Sequence, residues 1–286
     1  MSKISVCVLS YNQGDFIRQC LASIEAQSQS GMDIEILLCD DGSDDRTVEE
    51  INSFFRGSTI ANKLFLKKHR GIAAIAENLN HLVSESSGDY LAFIAGDDFY
   101  LKDRFVRQLE ILETNPSKDV VYSLGVNRRA EEVVGLCINN QTFSAVYSER
   151  PDVLLQHVTE AVPLLFVQGV LARASLFRDF EPFDESLVAD DWVFNIRACQ
   201  RMLERGTSFS FLPEIVFGRN LHDSNTSRNV MQHTHRVLQV ASEYFPSESF
   251  VNFKRKLRNQ AIKKLLRNPA GAPEFFSVLK LLRAFK

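Results

Sequence analysis

Pairs of carboxylates stand at the ends of apolar runs in this sequence. The stretch YLAFIAGDDFYLKDRF, residues 90–105, places Asp97 and Asp98 directly after a run rich in aromatic and β-branched residues. IEILLCDDGS sets Asp40 and Asp41 after a second run, and ADDW sets Asp190 and Asp191 at the head of an amphipathic segment. Adjacent like charges repel, so something must offset the repulsion: open water, a hydrogen-bond network or a cation. Hard divalent cations prefer oxygen ligands, and a cation held by carboxylates bridges readily to a diphosphate. A carboxylate beside a reacting hydroxyl takes its proton instead, as a general base. An EF-hand loop beginning at Asp40 fails, because Asp45 stands where glycine is needed and Ile51 where glutamate is needed. Neither a P-loop lysine pattern nor a GxGxxG after the first run is present, which removes the main support for kinase and dinucleotide-dehydrogenase readings.

The elements that must position these acids follow from the hydrophobic pattern. Residues 4–10, 34–39, 63–67 and 90–95 read as strands; residues 15–27, 44–55 and 72–86 read as helices between them. That alternation predicts an α/β fold with a mostly parallel, Rossmann-like central sheet flanked by helices. Ligands of such sheets bind at the carboxyl ends of the strands. Ser10 and Tyr11, then Asp40 and Asp41, then Asp97 and Asp98, all fall at those ends. Beyond residue 105 the pattern is less regular. Strands are expected over 119–124, 166–172 and 209–217, and a helix over 189–203.

Of 286 residues, 45% are hydrophobic and 24% charged, as in an ordinary globular protein, and the net charge of -3 argues against a nucleic-acid partner. Five cysteines without CxxC spacing read as buried thiols in a reducing compartment. No apolar segment of secretory form precedes the first strand, so a cytoplasmic location is expected. The charge is unevenly spread: from Lys254 onward ten Lys or Arg face one acid, Glu274, and alternate with Leu, Ile and Phe. That combination suits helices lying flat on an anionic membrane surface, or equally a tail packed on the acidic body. Pro269, Gly271 and Pro273 divide it into two helices, neither able to span a bilayer.

The order of the motifs carries a resemblance. VCVLSYNQGDFIRQCLASI, EILLCDDGSDDRTVEEI, GIAAIAENLN, GDYLAFIAGDDFYLKDRF and FDESLVADDWVFNIRACQRM, over residues 3–227, closely resemble the inverting family 2 glycosyltransferases of the GT-A fold, of the bacterial cell-surface glycan type. The resemblance implies a nucleotide-sugar-binding half (residues 1–105), an acceptor-binding half (106–227) and a helical basic tail (228–286). Tyr11 would lie beside the base with Ser10 shaping the pocket, and Asp41 would accept from a base N–H while Asp40 orients the loop. Gly71 and Asn78 match the stretch around the nucleotide sugar. Asp97 and Asp98 match the DxD-type motif, with Asp98 expected to bind Mn²⁺ or Mg²⁺ directly. Asp191 would be the catalytic base, and Trp192 either walls the acceptor site or packs. GRNLHDSNTSRN resembles a late motif in which His222, Asn225 and Ser227 fit, His222 as a metal or diphosphate contact, although Asn220 stands where an arginine is usual and Arg219 is one earlier. The implied partners are a UDP- or dTDP-sugar rather than a GDP-sugar, and a glycan or lipid-linked acceptor at the inner face of the membrane; a homo-oligomer is compatible with all of this. Two rival readings are a catalytically degenerate binding module and a sugar nucleotidyltransferase. The latter lacks its glycine-rich basic loop in LSYNQGDF.

Overall fold

Strands whose central residues are apolar on both sides need cover on both faces. The first, second and fourth strands obtain it, while the third, at the sheet edge, stays partly exposed. The computed structural model describes residues 2–28, 31–71, 74–101, 103–188, 190–222, 230–267 and 272–285, and their side chains except at 230–233, 264–267 and 272–275. Strands β1 (Lys3–Ser10), β2 (Asp33–Asp40), β3 (Ala61–Leu66) and β4 (Tyr90–Ala95) pair in parallel. Alternate residues go to opposite faces: Cys7, Leu37, Leu91 and Phe93 join one core cluster, while Val6, Val8, Ile36, Leu38 and Ile94 join the other. Helices α1 (Ile17–Ser28), α2 (Thr47–Gly57) and α4 (Arg104–Thr114) cover the second cluster; α3 (Ala74–Ser84) covers the first.

The second half adds β5 (Phe99–Tyr100), β6 (Lys118–Arg129), β7 (Glu132–Leu136), β8 (Leu171–Arg173) and β9 (Ser208–Asn220). The sheet runs β3-β2-β1-β4-β8-β6-β9-β5, with β7 on β6. Here β8 is antiparallel to both β4 and β6, and β9 is parallel to β6. The sheet is therefore continuous across residue 105. Helices α5 (Asn140–Tyr147), α6 (Pro151–Val158) and α7 (Asp190–Arg205) lie on the same side as α3. The last three, α8 (Val230–Tyr244), α9 (Ser247–Arg267) and α10 (Ala272–Ala284), extend that layer.

One expected strand is absent. Residues 166–172 do not run straight: Val167–Gly169 form a 3₁₀ turn, and only Leu171–Arg173 pair as a strand. The cause is tertiary, since buried side chains of α4 capture the carbonyls of Gln168, Gly169 and Val170. Pro269 and Gly271 lie outside the described residues, while Pro273 sits in the first turn of α10, where a missing N–H costs nothing. The tail packs on the body through Phe250, Phe253, Val278 and Leu282, and leaves Arg255, Lys256, Arg258, Lys263, Lys280 and Arg283 outward. Among the described residues no helix is long and apolar enough to cross a membrane.

Where β6 and β9 run side by side, Gly125 lies under the Phe217 ring: a Cβ there would come 2.1 Å from Phe217 Cζ, and that ring is only 1% exposed. Gly125→Ala should therefore lose about 1–3 kcal/mol of stability through overpacking. Gly57→Ala, whose Cβ would meet nothing within 4 Å, should be neutral or slightly stabilising. Thermal denaturation of the two variants checks the contrast; equal melting temperatures would contradict it.

Candidate functional site

The carboxyl ends of β1, β2 and β4 meet the N-terminus of α7 and the end of β9 along one edge of the sheet. Asp40 is fully buried there. Its Oδ2 accepts from Ser10 Oγ at 2.8 Å and Ser43 Oγ at 2.7 Å, and its Oδ1 from the Ser43 and Gly42 N–H groups at 2.9 and 3.2 Å. Every one of these bonds is spent on building the β2 loop. Asp41 faces the other way. Asn78 Nδ2 donates to its Oδ1 at 3.1 Å, and His69 Nδ1 lies 2.8 Å from its Oδ2. The His69 ring in turn lies parallel to Tyr11, with centroids 4.0 Å apart and 4° between planes. Ser10, Tyr11, Asp40, Asp41 and Asn78 are thus brought together. Gly71, at φ +77°, turns the chain into α3, where its carbonyl accepts the Ala74 N–H at 3.0 Å.

The two acids after β4 have different surroundings. Asp97 Oδ2 lies 3.0 Å from His222 Nε2, both side chains are partly exposed, and the His222 ring stacks on Phe16 at 4.6 Å. Asp98 is 3% exposed, with Oδ1 accepting from the Asn220 N–H at 3.0 Å and Oδ2 from Gln168 Nε2 at 2.9 Å. Burial, then the Asp97 charge, push the Asp98 carboxyl well above the usual range. Asn220 Nδ2 also donates to the Asp97 carbonyl at 2.6 Å, closing the turn from behind.

Asp191 sits in the first turn of α7, where a carboxylate complements the helix dipole. Its Oδ1 accepts the Val167 N–H at 2.7 Å. Burial raises its pKa, with the neighbouring Asp190 charge adding to the effect; the Val167 bond and Arg219 oppose it. Burial raises Asp190 as well. A carboxylate with a raised pKa is a stronger base, which is what proton abstraction from a hydroxyl requires. Among the described residues no group of three or more His, Cys, Asp or Glu is arranged to hold a metal ion. Asp97 and His222 are a carboxylate and an imidazole side by side, a donor pair that suits Mn²⁺ or Mg²⁺ if diphosphate oxygens and water supply the remaining ligands.

Four contributors have roles that sequence reading does not assign: His69 and Gln168, which it passes over, and Arg219 and Asn220, which it marks only as a departure within the late motif. None lies in a recognisable acid motif, and each reaches the site from a distant element. The GRN of GRNLHDSN was the available signal, since Asn220 supplies the N–H that holds Asp98. Trp192 does not wall an acceptor site. It is 4% exposed, its Nε1 donates to the Val158 carbonyl at 2.7 Å, and it packs against Phe245 and Phe253. Asn225 and Ser227 lie outside the described residues. All five cysteines are free and buried.

Known proteins resemble this chain in sequence and in fold. The model of "Glycosyl transferase family 2" matches residues 5–161. Among curated proteins, the uncharacterized glycosyltransferase EpsJ of Bacillus subtilis is 28% identical over 71% of this chain, which spans 59% of EpsJ. Chondroitin synthase of Pasteurella multocida is 26% identical over 78% of this chain, and the match takes in 21% of that enzyme. Among solved structures, Staphylococcus aureus TarS 1-349 in complex with UDP-GlcNAc superposes with a TM-score of 0.65 at 17% identity, over 85% of this chain and 66% of that one. The mannosyltransferase of Pyrobaculum calidifontis, in complex with GDP-Man and Mn²⁺, gives a TM-score of 0.58 at 16% identity, over 98% of this chain and 73% of that one. These likenesses establish the GT-A fold.

The raised Asp191 pKa has a consequence for stability. The folded state holds this proton more tightly than the unfolded chain does, so the associated stability is present at low pH and is lost as pH rises through the raised value. Asp191→Asn removes that dependence while leaving an acceptor for Val167. In denaturant titrations without metal, its advantage over wild type should be greater at about pH 8 than at about pH 5. A difference independent of pH would contradict the assignment.

Proposed function

The chain belongs to glycosyl transferase family 2, and from that premise we propose that it transfers a sugar from a nucleotide-diphosphate donor to a hydroxyl of a glycan or lipid-linked glycan, inverting the anomeric centre. The observation that carries this reading is the half-buried Asp191, raised in pKa, on the same sheet edge as the Asp97–His222 pair and the Tyr11–Asp41 pair.

Each residue has a part in the reading. Tyr11 offers a ring face to the base and Asp41 an acceptor for a base N–H, such as the N3–H of a UDP- or dTDP-sugar. Asn78 keeps Asp41 oriented. The His69 imidazole already makes both of the contacts proposed for the base, so an incoming nucleotide either displaces it or stacks in series with it. Asp97 and His222 would hold Mn²⁺ or Mg²⁺, which when bound neutralises the diphosphate and makes it a leaving group. This moves direct coordination from Asp98, whose oxygens are both engaged by protein donors, to Asp97. Asp98 then braces the turn. Asp191 takes the proton from the acceptor hydroxyl as its oxygen attacks the anomeric carbon, and a single displacement inverts the configuration. A degenerate binding module would have no need of a half-buried carboxylate with a raised pKa at this edge.

The outward cations of α9 and α10, with exposed Val251 and Ile262, form the face that would rest on an anionic leaflet at the cytoplasmic side. Each such charge is worth about 1 kcal/mol near the surface. Truncating the tail would strip the cover from Trp192, so charge reversal is the cleaner probe. Arg255→Glu, Lys256→Glu and Arg258→Glu together should abolish sedimentation with anionic liposomes while the protein stays folded. Undiminished binding would sink the membrane reading.

Two substitutions test the chemistry. Asp97→Ala should abolish Mn²⁺-dependent binding of UDP-sugars in calorimetry; donor affinity equal to wild type would remove Asp97 from the cation site. Asp191→Asn should bind donor normally yet lose turnover by about 10²-fold or more, the scale of a general base. Turnover within a few fold of wild type would place the base elsewhere.

A further inference from the structure

Behind the site lies a charge that the proposed chemistry does not use. Arg104, the first residue of α4, is 2% exposed. Its guanidinium lies 4.0 Å from the Tyr100 ring centroid and 4.6 Å from that of Phe105. Its hydrogen-bond partners are neutral: Nη1 donates to the Gln168 carbonyl at 2.5 Å, Nη2 to the Val170 carbonyl at 2.8 Å, and Nε to Gln108 Oε1 at 3.1 Å. Gln108, also fully buried, donates from Nε2 to the Gly169 carbonyl and to Ser123 Oγ, each at 3.0 Å. Three consecutive carbonyls of the 3₁₀ turn are therefore held by two side chains one helical turn apart on α4. Gly169 lets the turn approach closely, since a Cβ there would come 2.5 Å from the Ser123 carbonyl oxygen.

A buried guanidinium without a carboxylate is expensive, and a core selected for stability alone would place an apolar side chain there. Burial draws its pKa down only to about 10, so it remains charged at neutral pH. What the charge secures is geometry on the far side of the turn. There the Val167 N–H donates to Asp191 and the Gln168 side chain donates to Asp98. One short segment thus touches the proposed base and the brace of the cation site together. Each side-chain nitrogen of Arg104 and Gln108 has a partner, and a buried network of this kind rigidifies what it holds, although the buried Gln168 Oε1 has none.

We infer that Arg104, assisted by Gln108, is a positioning residue: it fixes the 167–170 turn so that Val167 and Gln168 hold Asp191 and Asp98 in register. The inference rests on the reading of Asp191 as the base. The groups facing Asp191 are Asp190 from its own helix, Arg219 from β9, the Cys137 thiol that follows β7 and the Val167 N–H, while Arg236 of α8 faces Asp190. Arg104 is not among them. Its influence on Asp191 runs only through the turn, and a hydrogen bond to the ionised form is what holds a carboxyl pKa down.

The test follows the Asp191 carboxyl resonance by ¹³C NMR through a pH titration, without metal, in wild type, Arg104→Met and Gln108→Met. Methionine fills either space without a charge, at the cost of leaving carbonyls of the turn without their donors. Both variants should titrate Asp191 at higher pH than wild type, Arg104→Met more so, each with a lower melting temperature because those buried carbonyls go unpaired. If Arg104→Met does not fold, Gln108→Met carries the same expectation. An unmoved Asp191 midpoint in the folded variants overturns the inference. Release of UDP from UDP-GlcNAc with Mn²⁺ separates this inference from the one beneath it. The positioning role predicts a loss of kcat of about tenfold or more with donor KM within twofold. If Asp191→Asn is inactive and the Arg104 variant is not impaired, the positioning role fails and the base assignment stands; if Asp191→Asn is fully active, the base assignment fails.

Discussion

The carboxyl edge of this sheet is organised around carboxylates that the fold has taken out of water. Asp98 is buried and Asp191 half-buried, and burial alone pushes each toward its protonated form. In a low-dielectric site such groups persist only if donors are aimed at them before any substrate arrives. The donors come from far along the chain: Asn220 at the end of β9, Gln168 and Val167 in the turn before β8. The second half of the sequence can be understood largely as the apparatus that delivers them. Antiparallel β8 brings the turn beside β4, and parallel β9 runs beside β6 until residues 218–220 reach the acid pair.

The first half answers a different demand. Asp40 is as buried as Asp98, but its donors are local, from Ser10, Gly42 and Ser43 on adjoining strand ends. This network builds the loop that carries Asp41, and Asn78 and His69 of the same half orient Asp41 and stack on Tyr11. The edge therefore divides into a face set by neighbouring strand tips and a face set by long-range contacts. The proposed base belongs to the second, and its orientation depends on packing far from the substrate.

This division explains what could be read from sequence. Strands β1, β2 and β4 were legible because runs such as ISVCVLS and YLAFIA need cover on both faces and leave polar tips at a fixed place. The acid motifs were legible because like charges at strand ends call for an explanation. The contributions of Gln168 and Asn220 were not, since each is a neutral amide whose meaning depends on a partner 70 or more residues away. Residues 166–172 misled for the same reason: FVQGVLA has the composition of a strand, and only the buried donors of α4 bend it into a turn. His69 was silent because nothing local distinguishes an imidazole that will stack on Tyr11 from one in solvent.

The tail joins this logic at α7. Asp191 and Trp192 are consecutive residues, so their side chains leave the helix about 100° apart. One takes the Val167 N–H at the sheet edge; the other is clamped between the Val158 carbonyl and the rings of Phe245 and Phe253. The first turn of α7 is therefore held from both sides, by the α4-anchored turn on one and by the C-terminal helices on the other. The residues that bury the tail, Phe250, Phe253, Val278 and Leu282, also leave its cations outward. Packing on the body and presenting a basic face are consequently not rival uses of the tail. The first creates the second, and it ties the helix that carries the proposed base to the surface that carries the charge.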